Sequence, residues 1–196
     1  MKKQYIKNFY NRDRLALTSL SKCGHCSGEQ LKEFIANKRI TNYVRDELVV
    51  REVLNKNNGE QIEGYKLTAK GRAFIEKEWG IKNHYIAQSI NHDLGIANKY
   101  FSLTEQERES WKTETELKLD FHERLADLMV NDYSRYEEVN KMIEDKLISV
   151  IDCSYVEAGI EVYFEVITNS YGQAELQAKE RFIEFMNIKT YETERV

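Results

Sequence analysis

The stretch 37–72 limits what this chain can fold into more than any other. A polar-faced helical segment leads into two short β-rich runs around a turn. These are followed by the strand-to-helix junction Tyr65-Lys66-Leu67-Thr68-Ala69-Lys70-Gly71-Arg72. That succession predicts a winged helix-turn-helix, a unit that presents one helix and one basic loop to the same nucleic-acid surface. Upstream, a first helix is expected over about 11–22, with Leu15, Leu17 and Leu20 inward. Ser27-Gly28-Glu29-Gln30 has capping-box spacing and predicts a second helix carrying Leu31, Phe34 and Ile35. Asn37 is expected to cap a third.

At about 100° per residue, Ile40, Tyr43, Val44 and Leu48 fall on one side of that third helix. Lys38, Thr41, Asn42 and Arg45 fall opposite, and Arg39 sits on the flank. Their donors and hydroxyls are of the kind that reach base edges and phosphates from a major-groove helix. The runs 48–54 and 61–67 then predict a hairpin, with Lys56-Asn57-Asn58-Gly59 supplying turn residues that accept positive φ. Thr68 is expected to cap a helix that stops at Gly80. The expected DNA-binding set is Lys38, Arg39, Thr41, Asn42 and Arg45, with Arg51 and Lys56 near the phosphate backbone.

Charge divides the chain. Residues 1–80 hold 16 Lys/Arg against 10 Asp/Glu, a net of +6, and the remainder hold 13 against 23, a net of −10. The first part can approach phosphates; the second is repelled unless it meets a metal, a basic protein or another subunit. No apolar run approaches transmembrane length and no signal peptide opens the sequence, so no membrane partner and a cytoplasmic location are expected. Cys23-Gly24-His25-Cys26 lacks the βαβ setting of a redox pair and two further ligands at zinc spacing. It is read as a turn with buried thiols.

Beyond residue 80, the pattern predicts helices over 83–102 and 121–147, with Thr104-Glu105-Gln106-Glu107 as another capping box. His84 and His92 are read as satisfied polar residues on the first of these. Ile148 to Glu157 and Ile160 to Thr168 are β-rich runs around Ala158-Gly159. A tight turn there sets Asp152 directly across from Glu165. Val162, Phe164 and Val166 are expected on the core face. A helix from about Gln173 to Met186 follows, carrying Lys179.

Two opposed carboxylates on a hairpin followed by a helix are what a PD-(D/E)xK nuclease uses to hold a divalent ion beside a scissile phosphate. Asp152 and Glu165 are the candidate metal ligands, and Lys179 joins them as a candidate catalytic residue. The pattern departs at Ile167, where lysine is expected, and no proline precedes Asp152. Glu114 or Glu116 is a candidate further ligand, and Arg124-Leu125-Ala126-Asp127 offers a rival first carboxylate.

Taken together, Lys38-Arg39-Ile40, Tyr65 through Gly71, His84, Trp111 through Leu117, and Tyr163 through Thr168 with Lys179 resemble the replication-relaxation family of plasmid, phage and conjugative-element proteins. The resemblance spans most of the chain on short, degenerate motifs. It implies an N-terminal winged helix, a restriction-endonuclease-like domain, and DNA binding near origins or transfer regions. The missing proline-aspartate pair and an acidic insertion over 120–147 depart from it.

The expected fold is therefore α+β: a winged helix-turn-helix over 1–80, then a mixed α/β domain over 81–196, in one form an inactive endonuclease-like fold. The expected function is double-stranded DNA binding by a homodimeric mobile-element regulator of transcription, replication or transfer, with no cofactor. One alternative is a divalent-metal endonuclease, which alone calls for Mg²⁺. Another is an inhibitor whose acidic half occupies the basic channel of a host defence protein.

Overall fold

The structure, a computed structural model, describes residues 4–56 and 59–196. It is a mixed α+β chain with two sheets, divided into two compact units, Met1–Thr104 and Glu105–Val196.

The first unit begins with α1 (Asn11–Cys23), β1 (His25–Cys26), α2 (Gly28–Lys32) and α3 (Asn37–Arg45). The hairpin of β2 (Val49–Asn55) and β3 (Gln61–Leu67) follows, then α4 (Ala69–Trp79) and α5 (Ile90–Ser102). β1 and β2 flank β3, both antiparallel to it. Local chemistry fixes several boundaries. Ser27 Oγ accepts from Gln30 N at 3.2 Å while Ser27 N donates to Gln30 Oε1 at 2.8 Å, which is the expected reciprocal cap. Thr68 Oγ1 accepts from Gly71 N at 3.0 Å, and Gly80 ends α4 in the left-handed region. Leu17, Leu20, Leu31, Ile40, Tyr43 and Ile75 are buried, joined by Ile6 ahead of α1.

Three sequence expectations shift here. Ala36, not Asn37, is the N-cap of α3, and Asn37 is its first residue. The helix expected over 83–102 starts only at Ile90, capped by Ser89, so His84 and His92 do not share a helix. The domain boundary falls after Thr104, not at 80/81, because α5 packs on α1, β1 and β3. Asn57 and Asn58 of the expected turn lie outside the described residues.

The second unit runs α6 (Glu105–Glu109), β4 (Lys112–Thr113), α7 (Glu114–Asn131), α8 (Tyr133–Glu144), β5 (Cys153–Glu157), β6 (Ile160–Ile167), α9 (Gln173–Met186) and β7 (Tyr191–Arg195). Its sheet order is β4-β5-β6-β7: the first two pairings are antiparallel, and β7 lies parallel to β6 after the α9 crossover. The helix expected over 121–147 is broken at Asp132, whose side chain accepts from Arg135 N at 3.1 Å and caps α8. Thr113 and Glu116 form a capping box at the start of α7.

β6 is buried on both faces. Val162, Phe164 and Val166 lie on one face and Tyr163 and Glu165 on the other, all under one-tenth exposed. The expectation of a single core face was therefore too narrow. Leu117, Phe121, Val139, Ile151, Tyr163 and Phe182 make one cluster, which places α7, α8 and α9 against the Tyr163 face. A strand covered on both faces reads as a continuous apolar run, so alternation cannot say which face is buried.

Candidate functional site

On α3, Lys38, Thr41 and Arg45 are exposed and Asn42 is half-buried. Positions 38, 41 and 45 lie three and four residues apart, so they form one row along the helix. Thr41 Oγ1 donates to Asn37 O at 3.1 Å, and the Arg45 guanidinium lies 5.1 Å from the Tyr5 ring centroid. This row is the part of the predicted DNA-binding set that reaches solvent together.

Arg39 does not belong to it. Its Nε donates to Asp13 Oδ1 at 2.7 Å and its Nη2 donates to Asp13 Oδ2 at 2.8 Å and Asn8 O at 2.6 Å. Tyr43 Oη donates to Asp13 Oδ1 at 2.5 Å, and the guanidinium also faces the Phe9 ring. Burial pushes the Asp13 carboxyl up, but hydrogen bonds from Arg39, Tyr43 and the Tyr10 N–H outweigh it and hold the group below its usual range. Arg39 thus braces α3 against α1 from within.

The hairpin cations are also engaged. Arg51 Nε donates to Glu63 Oε2 at 2.6 Å, Lys56 Nζ meets Glu60 Oε2 at 3.2 Å, and Lys66 Nζ meets Glu52 Oε1 at 2.7 Å. Carboxylates on the same hairpin offset its positive charge, so neither Arg51 nor Lys56 presents the unpaired cation that the sequence alone implied. Such exposed pairs are worth little to stability.

In the second unit, Asp152, Glu165 and Lys179 come together. The hairpin register runs Cys153 opposite Phe164 and Glu157 opposite Ile160, which continues to Asp152 opposite Glu165 as the tight turn required. Ala158 (φ 48°) and Gly159 (φ 81°) form that turn, both in the left-handed region. Asp152 N donates to Glu165 Oε2 at 3.0 Å, and Val166 N donates to Asp152 Oδ2 at 2.9 Å. From α9, Lys179 Nζ reaches Glu165 Oε1 at 2.7 Å and donates to Val150 O at 2.6 Å.

Tyr171 Oη donates to the same Glu165 oxygen at 2.8 Å, a partner that sequence reading missed because nothing in the spacing marks it. Both carboxylates are 1% exposed and Lys179 is 8% exposed. Burial first, and the Asp152 charge second, push the Glu165 carboxyl up to about 7 against the opposing pull of Lys179 and Tyr171.

The other proposed ligands are elsewhere. The Glu116 carboxylate is engaged in the α7 cap, accepting from Thr113 N at 2.8 Å, and Glu114 pairs with Lys118 at 2.8 Å. Asp127 is exposed on α7, so the rival first carboxylate is not part of this cluster. Among the described residues no group of three or more His, Cys, Asp or Glu is arranged to hold a metal. Two carboxylates nonetheless match the demand of Mg²⁺, which keeps several waters and takes one or two protein carboxylates beside substrate phosphates. To serve it, Glu165 Oε1 has to part from Lys179 and Tyr171, and Oε2 from the Asp152 N–H.

Cys23, Cys26 and Cys153 are buried thiols outside any disulfide; the thiols of the first two are buried as expected, but Cys23 ends α1 and Cys26 lies in β1 opposite Tyr65 rather than in a simple connecting turn. Between those two, His25 lies buried with Nδ1 2.7 Å from Asp93 Oδ2 and Nε2 3.1 Å from Glu52 Oε2. No helix among the described residues is long and apolar enough to cross a membrane. No family model, no curated protein and no solved structure matches the chain.

Proposed function

We propose that this chain is a double-stranded DNA-binding protein that docks through α3, and that its first unit is a winged helix-turn-helix. The observation that carries the reading is the exposed row Lys38, Thr41 and Arg45, held outward by the Arg39–Asp13 brace on the opposite flank. The order α1-β1-α2-α3-β2-β3, with β3 between β1 and β2, supports it. A helix delivering a cation at each end and a hydroxyl between has the chemistry to grip phosphates and touch base edges. The resemblance to replication-relaxation proteins extends the proposal to a regulatory, replication or transfer role on a mobile element, acting as a homodimer. Fluorescence anisotropy with random and candidate-origin duplexes tests it. Salt-dependent binding that falls in a Lys38→Ala, Arg45→Ala double variant is the expected result. Unchanged binding in that variant removes α3 from the interface.

A second reading is favoured by the Asp152–Glu165–Lys179 cluster: a divalent-metal phosphodiesterase in which Lys179, delivered from α9, takes the place that Ile167 leaves vacant on the strand. Asp152 and Glu165 would hold the ion, which would polarise a phosphate oxygen. Incubation of supercoiled plasmid with Mg²⁺ or Mn²⁺ tests it. Nicking that disappears in Asp152→Asn supports it, and no nicking at high protein concentration overturns it.

A further inference from the structure

A cavity of about 240 Å³ opens in the first unit where the end of α1, the end of β3, the first turns of α4 and the 84–87 segment meet. Leu20, Leu67 and Tyr85 supply apolar wall; Lys66, Arg72 and His84 supply nitrogen from separate parts of the chain. No α3 residue lines it. Ser21 Oγ lies 2.7 Å from His84 Nδ1 and fixes the ring. Lys66 is shared with Glu52 at 2.7 Å, yet about one-third of its side chain remains exposed.

We propose that this cavity binds a phosphate oxyanion, with Arg72 as the principal clamp and Lys66 and His84 as supporting donors. Arg72 is exposed on the first turns of α4, and a guanidinium offers parallel N–H donors that match phosphate geometry. The local field has the required sign. Burial first, then the Arg72 charge, disfavours the His84 imidazolium; Lys22 adds to this and Glu76 opposes it. Burial dominates that depression, so the cations only add to it, and an anion bound beside Arg72 and His84 relieves their share. The size is also informative. Drug-sized ligands occupy roughly 300–1,000 Å³, so this space suits a phosphate with at most a sugar-sized body. That group is either a small phosphate monoester or one phosphate of a nucleic-acid backbone.

The test is NMR of the isotope-labelled full chain, following the His84 ring during titration with inorganic phosphate and with ribose phosphate, with ribose as control. Saturable displacement of the His84 resonances by both phosphates and not by ribose is expected, together with a rise in the His84 pKa when they are bound. Arg72→Ala should weaken binding by about tenfold or more, whereas Lys32→Ala, at an exposed cation on α2 that pairs with Glu29, should leave it unchanged. A duplex that moves the same resonances and is displaced by ribose phosphate identifies the backbone as the source. A duplex that leaves them in place identifies the small ester. The proposal is overturned if neither phosphate gives a saturable shift at millimolar concentration. It is equally overturned if Arg72→Ala, shown folded by circular dichroism, responds like the parent chain.

Discussion

The Asp13 carboxylate holds the Arg39 guanidinium through two parallel hydrogen bonds of 2.7 and 2.8 Å, tying α1 to α3 across the interior of the first unit. Asp13 is 2% exposed and also accepts from Tyr43, so removing it strands an arginine and a buried hydroxyl together. Asp13→Ala is expected to cost roughly 3 kcal/mol in denaturant unfolding, as for other broken buried pairs. Lys38→Ala, on the open face, should change stability by under about 0.5 kcal/mol. Because the folded-state Asp13 carboxyl sits below its ordinary 3.8, its contribution is present above that pH and is lost as pH falls through the folded value. Asp13→Asn should therefore flatten the acid limb of the stability profile.

Glu165 has the opposite sign. Its folded carboxyl is raised from 4.5 to about 7, so the folded state keeps a proton that the unfolded chain gives up. Stability from this group is complete below pH 4.5 and declines as pH rises through about 7. Thermal melts of the parent chain and Glu165→Gln across that window should diverge, with the parent losing on the order of 1–3 kcal/mol relative to the variant. Parallel profiles would show that the carboxyl ionises normally in place.

The pairing of the hairpin cations changes what mutagenesis of the proposed DNA-binding surface should yield. Arg45→Ala should cost about 1–3 kcal/mol in duplex affinity if it reads a base, and Lys38→Ala should reduce the salt slope by about one. Lys56→Ala and Arg51→Ala should each do less, because Glu60 and Glu63 already hold those charges. Salt-slope measurements on the four single variants separate helix from hairpin contributions.

Gly71 is required by proximity, since an added Cβ would fall 2.0 Å from the Leu48 carbonyl oxygen. Gly71→Ala must push α4 away from the start of β2, undoing the Thr68 cap with it. A loss of roughly 1–3 kcal/mol or more is expected in denaturant unfolding. An unperturbed variant would mean that α4 approaches β2 less closely.

Ala158 offers a gain instead. It occupies the left-handed region at φ 48°, where a side chain is unfavourable, and it sits at an exposed turn. Ala158→Gly should stabilise the second unit by up to about 1 kcal/mol, despite the extra freedom it gives the unfolded chain. A lower melting temperature would show that the turn tolerates alanine without strain.

Much of this was legible in the sequence where the signal is local. The Ser27 box, the Thr68 cap, the Gly80 stop and the turn at Ala158-Gly159 each rest on a few adjacent residues, and the turn alone fixed Asp152 opposite Glu165. The charge and spacing of 38, 41 and 45 likewise marked an exposed row. What escaped depends on distant partners. Arg39 looks like any flank cation until Asp13 arrives from α1, and Lys56 looks free until Glu60 is placed beside it. Tyr171 and β7 carry no pattern of their own. The helix break at Asp132 was hidden because apolar periodicity continues through it, and the boundary at Thr104 was hidden because α5 joins the first unit by packing.

The clasp of His25 between Asp93 and Glu52 has a practical outcome for anyone dividing the molecule. Asp93 belongs to α5, so a fragment ending near residue 80 strips one carboxylate from a ring that is 1% exposed. Such a fragment should express poorly or precipitate, and a failed gel shift with it would be mistaken for lack of affinity. Cutting after Thr104 keeps the ring clothed and gives the DNA assay a fair trial.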